Sequence, residues 1–555
     1  MSNRPVLRPD QTDLQARVFA GWQSGKRNAM AVLPTGGGKS VIVSDTVRRF
    51  DDNRQEVLVM AHRRELVGQM SLHVARQGIR HRIIAPRPIV SAIMAEHRKE
   101  LGGNCFVAFD AACAVGSVDT IGARVDLLRD YLRRLDLLVC DEGHHVLREN
   151  KWGAVFDACE RALGLLVTAT PARADRKGLG RHADGVADFM EIGPSMRWLI
   201  DHGALTDYEI VCPPSDFDLD SLKIGESGDV TPASMKAASE RSRIVGDVVE
   251  NYCKYAYGKR AVCFATDVAT AVKMAAQFNS WGIPAAAVSA DTDSTVRDDM
   301  IRRLRDGRLW VLVNVDLLGE GFDLPAIEVV IMARPTASLA VYMQQFGRAL
   351  RTLAGKAFGL VIDHVSNIKR HGFPDRPRVW TLDRYQKRKA REKDPELLDI
   401  TICTGCGKPY EIIHHACPYC GHVEPVEPSN GGRGEIELVK GDLTRLDTAT
   451  LARMRAAAEL PDPEDMAARA AFAGHHAGVQ AGQRNIAAAK IEAQETLKEA
   501  LSHWAGFQRD VHGREDSEIH RRFYHAAGVD VLSALSADRS DMLNLAERVK
   551  SWIAI

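Results

Sequence analysis

Two successive α/β lobes, each built on a parallel sheet, then a small four-cysteine ribbon and a mainly α-helical C-terminal region, make up the fold class predicted by this 555-residue sequence. Three observations predict it. Short β-branched or apolar runs alternate with helical stretches twice over, the pattern of strand–helix–strand units whose strands lie parallel. A glycine-rich turn, Leu33-Pro-Thr-Gly-Gly-Gly-Lys-Ser40, joins the first apolar run to a helical stretch. Two cysteine pairs, Cys403-Thr-Gly-Cys406 and Cys417-Pro-Tyr-Cys420, stand ten residues apart beyond the second alternation.

In the first lobe, residues 1–193, the strand candidates are 29–33, 57–61, 135–140 and 164–168, with helices over 39–49 and 64–77. The polar, acidic stretch 213–235 reads as loop, so 194–235 is expected to link the lobes. The alternation restarts in 236–385, with strands at 260–265, 285–288, 310–314 and 329–332 and helices at 269–281 and 296–306. Residues 384–396, rich in Lys, Arg and Glu, lead into the ribbon at 396–425, and the Pro- and Gly-containing stretch 423–432 is a linker by composition. The remainder, 433–555, is expected to be helical, with alanine-rich segments at 451–473 and 484–503 and a further helix after Asp538. Its Trp504, Phe507, Phe523 and Tyr524 are expected in a small core, the alternative being base stacking; Arg521 and Arg522 are candidate contacts to a phosphate backbone.

Apolar residues make up 45% and charged residues 26%, which excludes a disordered or fibrous chain. Lys and Arg together number 73, equal to Asp and Glu, which excludes a uniformly basic coat for nucleic acid but leaves room for a basic stripe in one cleft. No run approaches the ~20 consecutive apolar residues of a membrane span, and Met1-Ser-Asn-Arg-Pro5 lacks the apolar core of a signal peptide. The expectation is a cytoplasmic protein with no membrane partner, whose 11 cysteines are reduced.

The glycine-rich turn places backbone N–H groups and a lysine where phosphate oxygens would sit. Gly36, Gly37 and Gly38 would allow close backbone approach, Lys39 would pair with β- and γ-phosphates of ATP, Ser40 would ligate Mg²⁺, and Thr35 belongs to the same nucleotide-binding set. The run Leu135-Asp-Leu-Leu-Val-Cys-Asp-Glu-Gly-His-His145 ends an apolar strand in two carboxylates. Asp141 would hold Mg²⁺ and Glu142 would polarise the attacking water; His144 is placed to sense the nucleotide, and His145 reads as structural or surface. About three hundred residues on, Gln344-Gln-Phe-Gly-Arg-Ala-Leu-Arg351 offers Arg348 and Arg351. Facing the first segment across a cleft, they would reach the γ-phosphate only when the cleft is shut. The four cysteines suit a tetrahedral S₄ shell for Zn²⁺, the alternative being a redox dithiol; His414, His415 and His422 are read as non-ligands.

Over residues 7–385 the chain resembles the superfamily 2 helicases of the DEAD/DEAH-box type, which implies RecA-like lobes and a nucleic-acid-dependent ATPase. Arg8-Pro-Asp-Gln11 is similar to the family's adenine-reading segment, so that Gln11, beside Arg8, is implied to contact the base; Asp10 stands where the family has an aromatic. The segments 57–65 and 115–120 sit where first-lobe nucleic-acid contacts lie, implicating His62, Arg63, Ser117 and Thr120. Thr168-Ala-Thr-Pro-Ala-Arg173 is similar to the motif linking hydrolysis to nucleic-acid contact through Thr168 and Thr170. Asn314-Val-Asp-Leu-Leu-Gly-Glu-Gly-Phe-Asp323 carries over Gly321 and Asp323 to the nucleotide, and Gln344, Arg348 and Arg351 match the arginine-finger motif. A narrower resemblance, over Val361–Gly372 and the ribbon, is to bacterial and prophage helicases of the RadD repair group and to helicase subunits of restriction enzymes, implying DNA rather than RNA.

The expected function is an ATP-dependent helicase or translocase acting on DNA in repair, recombination or phage replication, with replication, repair or restriction proteins as partners. Three rivals stay open: a remodeller that separates no strands, a zinc-ribbon module whose lobes only clamp nucleic acid, and the motor subunit of a restriction or defence complex.

Overall fold

The computed structural model describes residues 4–215, 217, 219, 221–225, 228–315, 317, 327–376, 378–384, 399–414, 416–424, 462–472 and 477–553. Gly321 and Asp323, the charged stretch 385–396, His415 and most of the 423–461 segment lie outside the described residues.

The chain divides into two compact units. Nearly all of the first, residues 1–387, is built on two parallel sheets. The first sheet holds β1 (Asn28–Val32), β2 (Val57–Ala61), β3 (His81–Ile84), β4 (Cys113–Ser117), β5 (Leu137–Asp141), β6 (Leu163–Thr168) and β7 (Phe189–Ile192), in the order β3-β4-β2-β5-β6-β1-β7. Every residue of β1, β2, β4 and β5 is buried, because helices cover both faces of a parallel sheet and its inner strands have no wet side. Alternate residues of β1 feed two separate cores: Ala29 and Ala31 join one with Val57, Val59 and Val139, while Met30 and Val32 join the other with Leu58, Met60 and Leu138.

The second sheet holds β8 (Asp207–Val211), β9 (Ala261–Phe264), β10 (Ala285–Val288), β11 (Val311–Asn314), β12 (Val329–Met332) and β13 (Phe358–Asp363), in the order β10-β11-β9-β12-β13-β8. The segment 194–235, expected as a linker, therefore supplies an edge strand: β8 pairs in parallel with β13, Ile210 opposite Val361. It also contributes the short helix Met196–Asp201. At the other end, Trp380 and Leu382 pack on the first lobe's core and the Leu382 carbonyl accepts from Leu179 and Gly180 N–H, so this stretch leaves the second lobe before residue 385.

In the second unit, two short strands, Ile400–Ile402 and Pro409–Glu411, accompany the cysteine pairs. The helices are Pro463–Phe472, Ala477–His512, Asp516–Ala527, Val531–Leu535 and Arg539–Ser551. Trp504 and Phe523 are each 1% exposed and pack with Trp552, as expected of a core, whereas Tyr524 is 45% exposed. Arg522 is not a surface contact: it is buried and ion-paired to Glu411 and Glu518. Among the described residues no helix is long and apolar enough to cross a membrane.

Candidate active site

The turn after β1 leaves the sheet at its carboxyl edge, where ligand crevices form in open parallel sheets. Gly36 and Gly38 adopt φ of +82° and +91°, a region L side chains rarely enter, and helix Lys39–Asp52 starts directly behind them. The turn is clamped from outside: Arg8 Nη2 and Gln11 Nε2 each donate to the Gly37 carbonyl at 3.0 Å. Asp10 holds Arg8 through two bonds, Nε to Oδ1 at 3.0 Å and Nη2 to Oδ2 at 2.8 Å. The carboxylate standing where the family has an aromatic thus fixes the arginine of the same segment, and Gln11 is engaged with the phosphate turn.

A cavity of about 330 Å³ opens at this turn, lined by Thr35, Gly36, Gly38, Lys39 and Ser40, by Asp141 and Glu142 from the end of β5, and by Gln344, Arg348 and Arg351. The last three come from the second lobe, on and just beyond helix Leu339–Gly347. The lobes meet closely here. A Cβ built on Gly347 would lie 2.5 Å from Thr35 Cβ, so only glycine lets the helix end rest on the phosphate turn. Further ties between the lobes are Arg63 Nη1 to the Leu317 carbonyl at 3.2 Å and Arg297 to Glu65 at 2.8 Å.

The donor set fits a nucleotide triphosphate. Lys39 Nζ has a carbonyl at 3.5 Å, that of Leu33, and its pKa is lowered by desolvation, an effect countered by Glu142 and Asp141. Arg351 is pushed down to about 10 by burial and stays protonated at neutral pH. Thr35 Oγ1 is buried and makes no hydrogen bond among the described residues. An enclosed lysine, two arginines and an unspent hydroxyl around one cavity are what a multiply charged anion would complete.

Glu142 has φ +51°, an uncommon backbone state for a non-glycine residue. That conformation turns the chain at the strand end, letting its own N–H donate to Asp141 Oδ1 at 3.0 Å. Behind it, His144 Nδ1 lies 3.4 Å from Glu142 Oε2 and 2.9 Å from Thr168 Oγ1, and Arg173 Nη1 donates to the His144 carbonyl at 2.8 Å. Thr170 N donates to Thr168 Oγ1 at 3.2 Å. Thr168 and Thr170 are 0% and 2% exposed and sit in the wall connecting β6 to the acidic edge.

Of the other expected nucleic-acid contacts, His62 and Arg63 follow β2, and Ser117 ends β4 opposite Ala61. Thr120 lies in the short helix Val118–Gly122 and is half-buried; Ser117 is buried. The structure also brings in residues the sequence reading missed. Leu66, Gln69, Met70 and His73 line the cavity from one face of helix Arg64–Arg76, and Ala204, Leu205 and Thr352 close it. The spacing i, i+3, i+4, i+7 of the first four was visible in the sequence, but as a packing face.

In the second unit the four cysteine Sγ atoms all lie within 4.8 Å of one another. Cys403–Cys420 and Cys406–Cys417 are 3.6 and 3.7 Å apart, far longer than a disulfide. Sulfurs at the corners of a tetrahedron around an ion ~2.3 Å away are separated by about 3.8 Å, so the four thiols fit a Zn²⁺ site.

A family model described as the res subunit of type III restriction enzymes matches residues 4–173, and one described as the helicase conserved C-terminal domain matches 244–352. This chain belongs to the superfamily 2 helicases. The two spans contain Lys39, Asp141 and Glu142 on one side and Arg348 and Arg351 on the other. The helicase is 29% identical over 420 residues to a 51.5 kDa protein of a Lactococcus phage, covering 75% of this chain and 83% of that one. It is 26% identical over 378 residues to the protein named ATP-dependent helicase IRC3 of Saccharomyces cerevisiae, and 25% identical over 380 residues to mitochondrial ATP-dependent helicase irc3 of Schizosaccharomyces pombe. It covers 65% and 66% of its own length in those two matches, but 52% and 58% of theirs.

Proposed function

We propose that this chain is a DNA-directed motor: an ATP-dependent helicase or translocase in which closure of the two lobes completes the hydrolytic site. The observation that carries the reading is the shared cavity, with Lys39, Asp141 and Glu142 on one wall and Arg348 and Arg351 on the other. Thr35, Lys39 and the backbone of the glycine turn receive the phosphates of ATP. Ser40 and Asp141 would hold Mg²⁺, which when bound neutralises charge on the β- and γ-phosphates. Glu142 orients the attacking water and takes its proton toward the carboxylate; Arg348 and Arg351 stabilise charge on the transferring group. Loss of phosphate removes what holds the arginines near Lys39, and the cleft reopens.

For the choice of DNA, support comes from the restriction-enzyme family model over residues 4–173. The same match favours a second reading, the motor subunit of a restriction or defence complex, and co-purification of a nuclease chain from the native host is its test. Cys403, Cys406, Cys417 and Cys420 would bind about one Zn²⁺ per chain; a metal assay near zero on fresh protein defeats that assignment.

The test of the main reading is steady-state ATP hydrolysis without nucleic acid and then with single-stranded, duplex and forked DNA and with RNA, at one salt concentration, since backbone contacts weaken steeply with salt. DNA should stimulate and RNA should not. Hydrolysis indifferent to every nucleic acid would overturn it. Lys39→Ala and Glu142→Gln should each abolish turnover, the Glu142 change sparing ATP binding.

A further inference from the structure

We propose that His145 is a positioning residue through which engagement of nucleic acid at Arg63 is felt at the hydrolytic carboxylate; the inference rests on the helicase reading above. In sequence His145 reads as structural or surface, and the structure gives it a definite place. Its ring centroid lies 4.2 Å from that of His144, 5.1 Å from that of His62, and 6.1 Å from that of Trp152, nearly parallel to the indole at 16°. It is the shared member of a cluster of four rings, stacked on Trp152 and tilted against His144 and His62, with His62 also 6.1 Å from Trp152.

Two members of the cluster touch the two functions. His144 Nδ1 faces Glu142 Oε2 at 3.4 Å and Thr168 Oγ1 at 2.9 Å. His62 Nε2 accepts from Arg63 Nε at 3.2 Å, and Arg63 Nη1 reaches the Leu317 carbonyl of the second lobe at 3.2 Å. The back of the cluster is fixed. Trp152 is 4% exposed and sits in the first lobe's core. Asn150 ties it to His145, donating Nδ2 to the His145 carbonyl at 2.8 Å while Oδ1 accepts from Trp152 N at 3.0 Å and Gly153 N at 3.2 Å.

Rings packed this closely against a buried wall are coupled in position. When Arg63 exchanges the Leu317 carbonyl for a phosphate, or when the lobes part, the hydrogen bond that orients His62 changes. His62 then presses on His145, which lies between Trp152 and His144, the residue that faces Glu142. Such an element has two packings that both sites bias, which is what coupling requires.

The experiment compares the ratio of ATPase rates with and without saturating single-stranded DNA in wild type, His145→Ala and His145→Phe. His145→Ala should cut the ratio at least about fivefold, the low end of a coupling interaction, with the loss in the DNA-stimulated kcat rather than in the KM for ATP. His145→Phe restores a ring without its nitrogens and should recover most of the ratio. In a cycle with Arg63→Ala, adding His145→Ala should cost little more, since both cut the same link. A wild-type ratio in His145→Ala, equal failure of the Phe and Ala variants, or full additivity with Arg63→Ala overturns the inference while leaving the motor intact. A wild type that no nucleic acid stimulates overturns the motor reading itself, and the relay with it.

Discussion

The two walls of the nucleotide cavity are held in different ways. The first-lobe wall is fixed by its own sheet and by local bonds: Leu33 N–H donates to the Thr168 carbonyl, Arg8 and Gln11 hold the Gly37 carbonyl, and His144 bridges Glu142 and Thr168. The second-lobe wall arrives on the end of one helix, and its nearness depends on Gly347 resting against Thr35 and on polar ties such as Arg63–Leu317 and Arg297–Glu65. On the proposed mechanism, binding of ATP is prepared in advance, whereas the charge stabilisation that speeds hydrolysis is available only in the closed state.

The sharpest way to break this contrast is to remove one member of each wall. Arg351→Ala should lower kcat by roughly a thousandfold, the scale of an arginine finger, while a fluorescent ATP analogue still binds; Lys39→Ala should lose binding as well. If Arg351→Ala weakens binding as much as Lys39→Ala, the second wall is part of the binding site in the open state and the contrast fails. A smaller effect is expected from wedging the walls apart. Gly347→Val puts a side chain where Thr35 stands, with 2.5 Å between Cβ positions. A displacement of about 1 Å in a catalytic constellation costs about a hundredfold, so single-turnover hydrolysis should slow by that order with nucleotide binding kept. An undiminished rate would mean that Gly347 and Thr35 do not touch in the working state.

Much of this arrangement was legible in the sequence, and the exceptions have physical causes. The central strands β1, β2, β5, β9, β11 and β12 are runs of apolar residues buried on both faces, which composition alone exposes. The outer strands β3, β7 and β8, with sequences His-Arg-Ile-Ile, Phe-Met-Glu-Ile and Asp-Tyr-Glu-Ile-Val, pair on one side and keep polar residues, so they carry a weaker pattern, and the inner strands β4 and β13, each containing a glycine, also escape the sequence pattern. The glycine turn and the two carboxylates stood out because phosphate chemistry requires contiguous residues. The Asp10–Arg8 lock, the cavity-lining face of helix Arg64–Arg76 and the His145 cluster did not, because each is a meeting of side chains whose types serve equally well in packing.

The same contrast predicts that damage to the first lobe's scaffold appears in stability before it appears in catalysis, and a buried network beside β3 tests this. Ser71, His81 and His97 are fully buried, with Ser71 Oγ 2.7 Å from His81 Nε2 and 2.9 Å from His97 Nε2. His81 Nδ1 faces the Ile79 carbonyl at 3.0 Å, and a carbonyl only accepts, so Nδ1 carries the proton and Nε2 accepts from Ser71. Phe106 N–H donates to His97 Nδ1, leaving Nε2–H of His97 to donate to Ser71. Every group is satisfied only when both rings are neutral, and burial pushes both pKa values down to about 4. An unfolded histidine protonates near 6.5, so between about 6.5 and 4 the unfolded state binds more protons, and stability is present above 6.5 and lost as pH falls toward 4. For His81 the loss approaches about 3 kcal/mol at the acid end. Ser71→Ala leaves a buried donor and a buried acceptor without partners, which costs about 1–3 kcal/mol at neutral pH. It should lower the urea midpoint of wild-type protein accordingly while changing kcat less than twofold or so, far below the effect of Arg351→Ala. A variant as stable as wild type at pH 7, or one whose kcat falls with its stability, would show that scaffold and catalysis in this lobe are not separable.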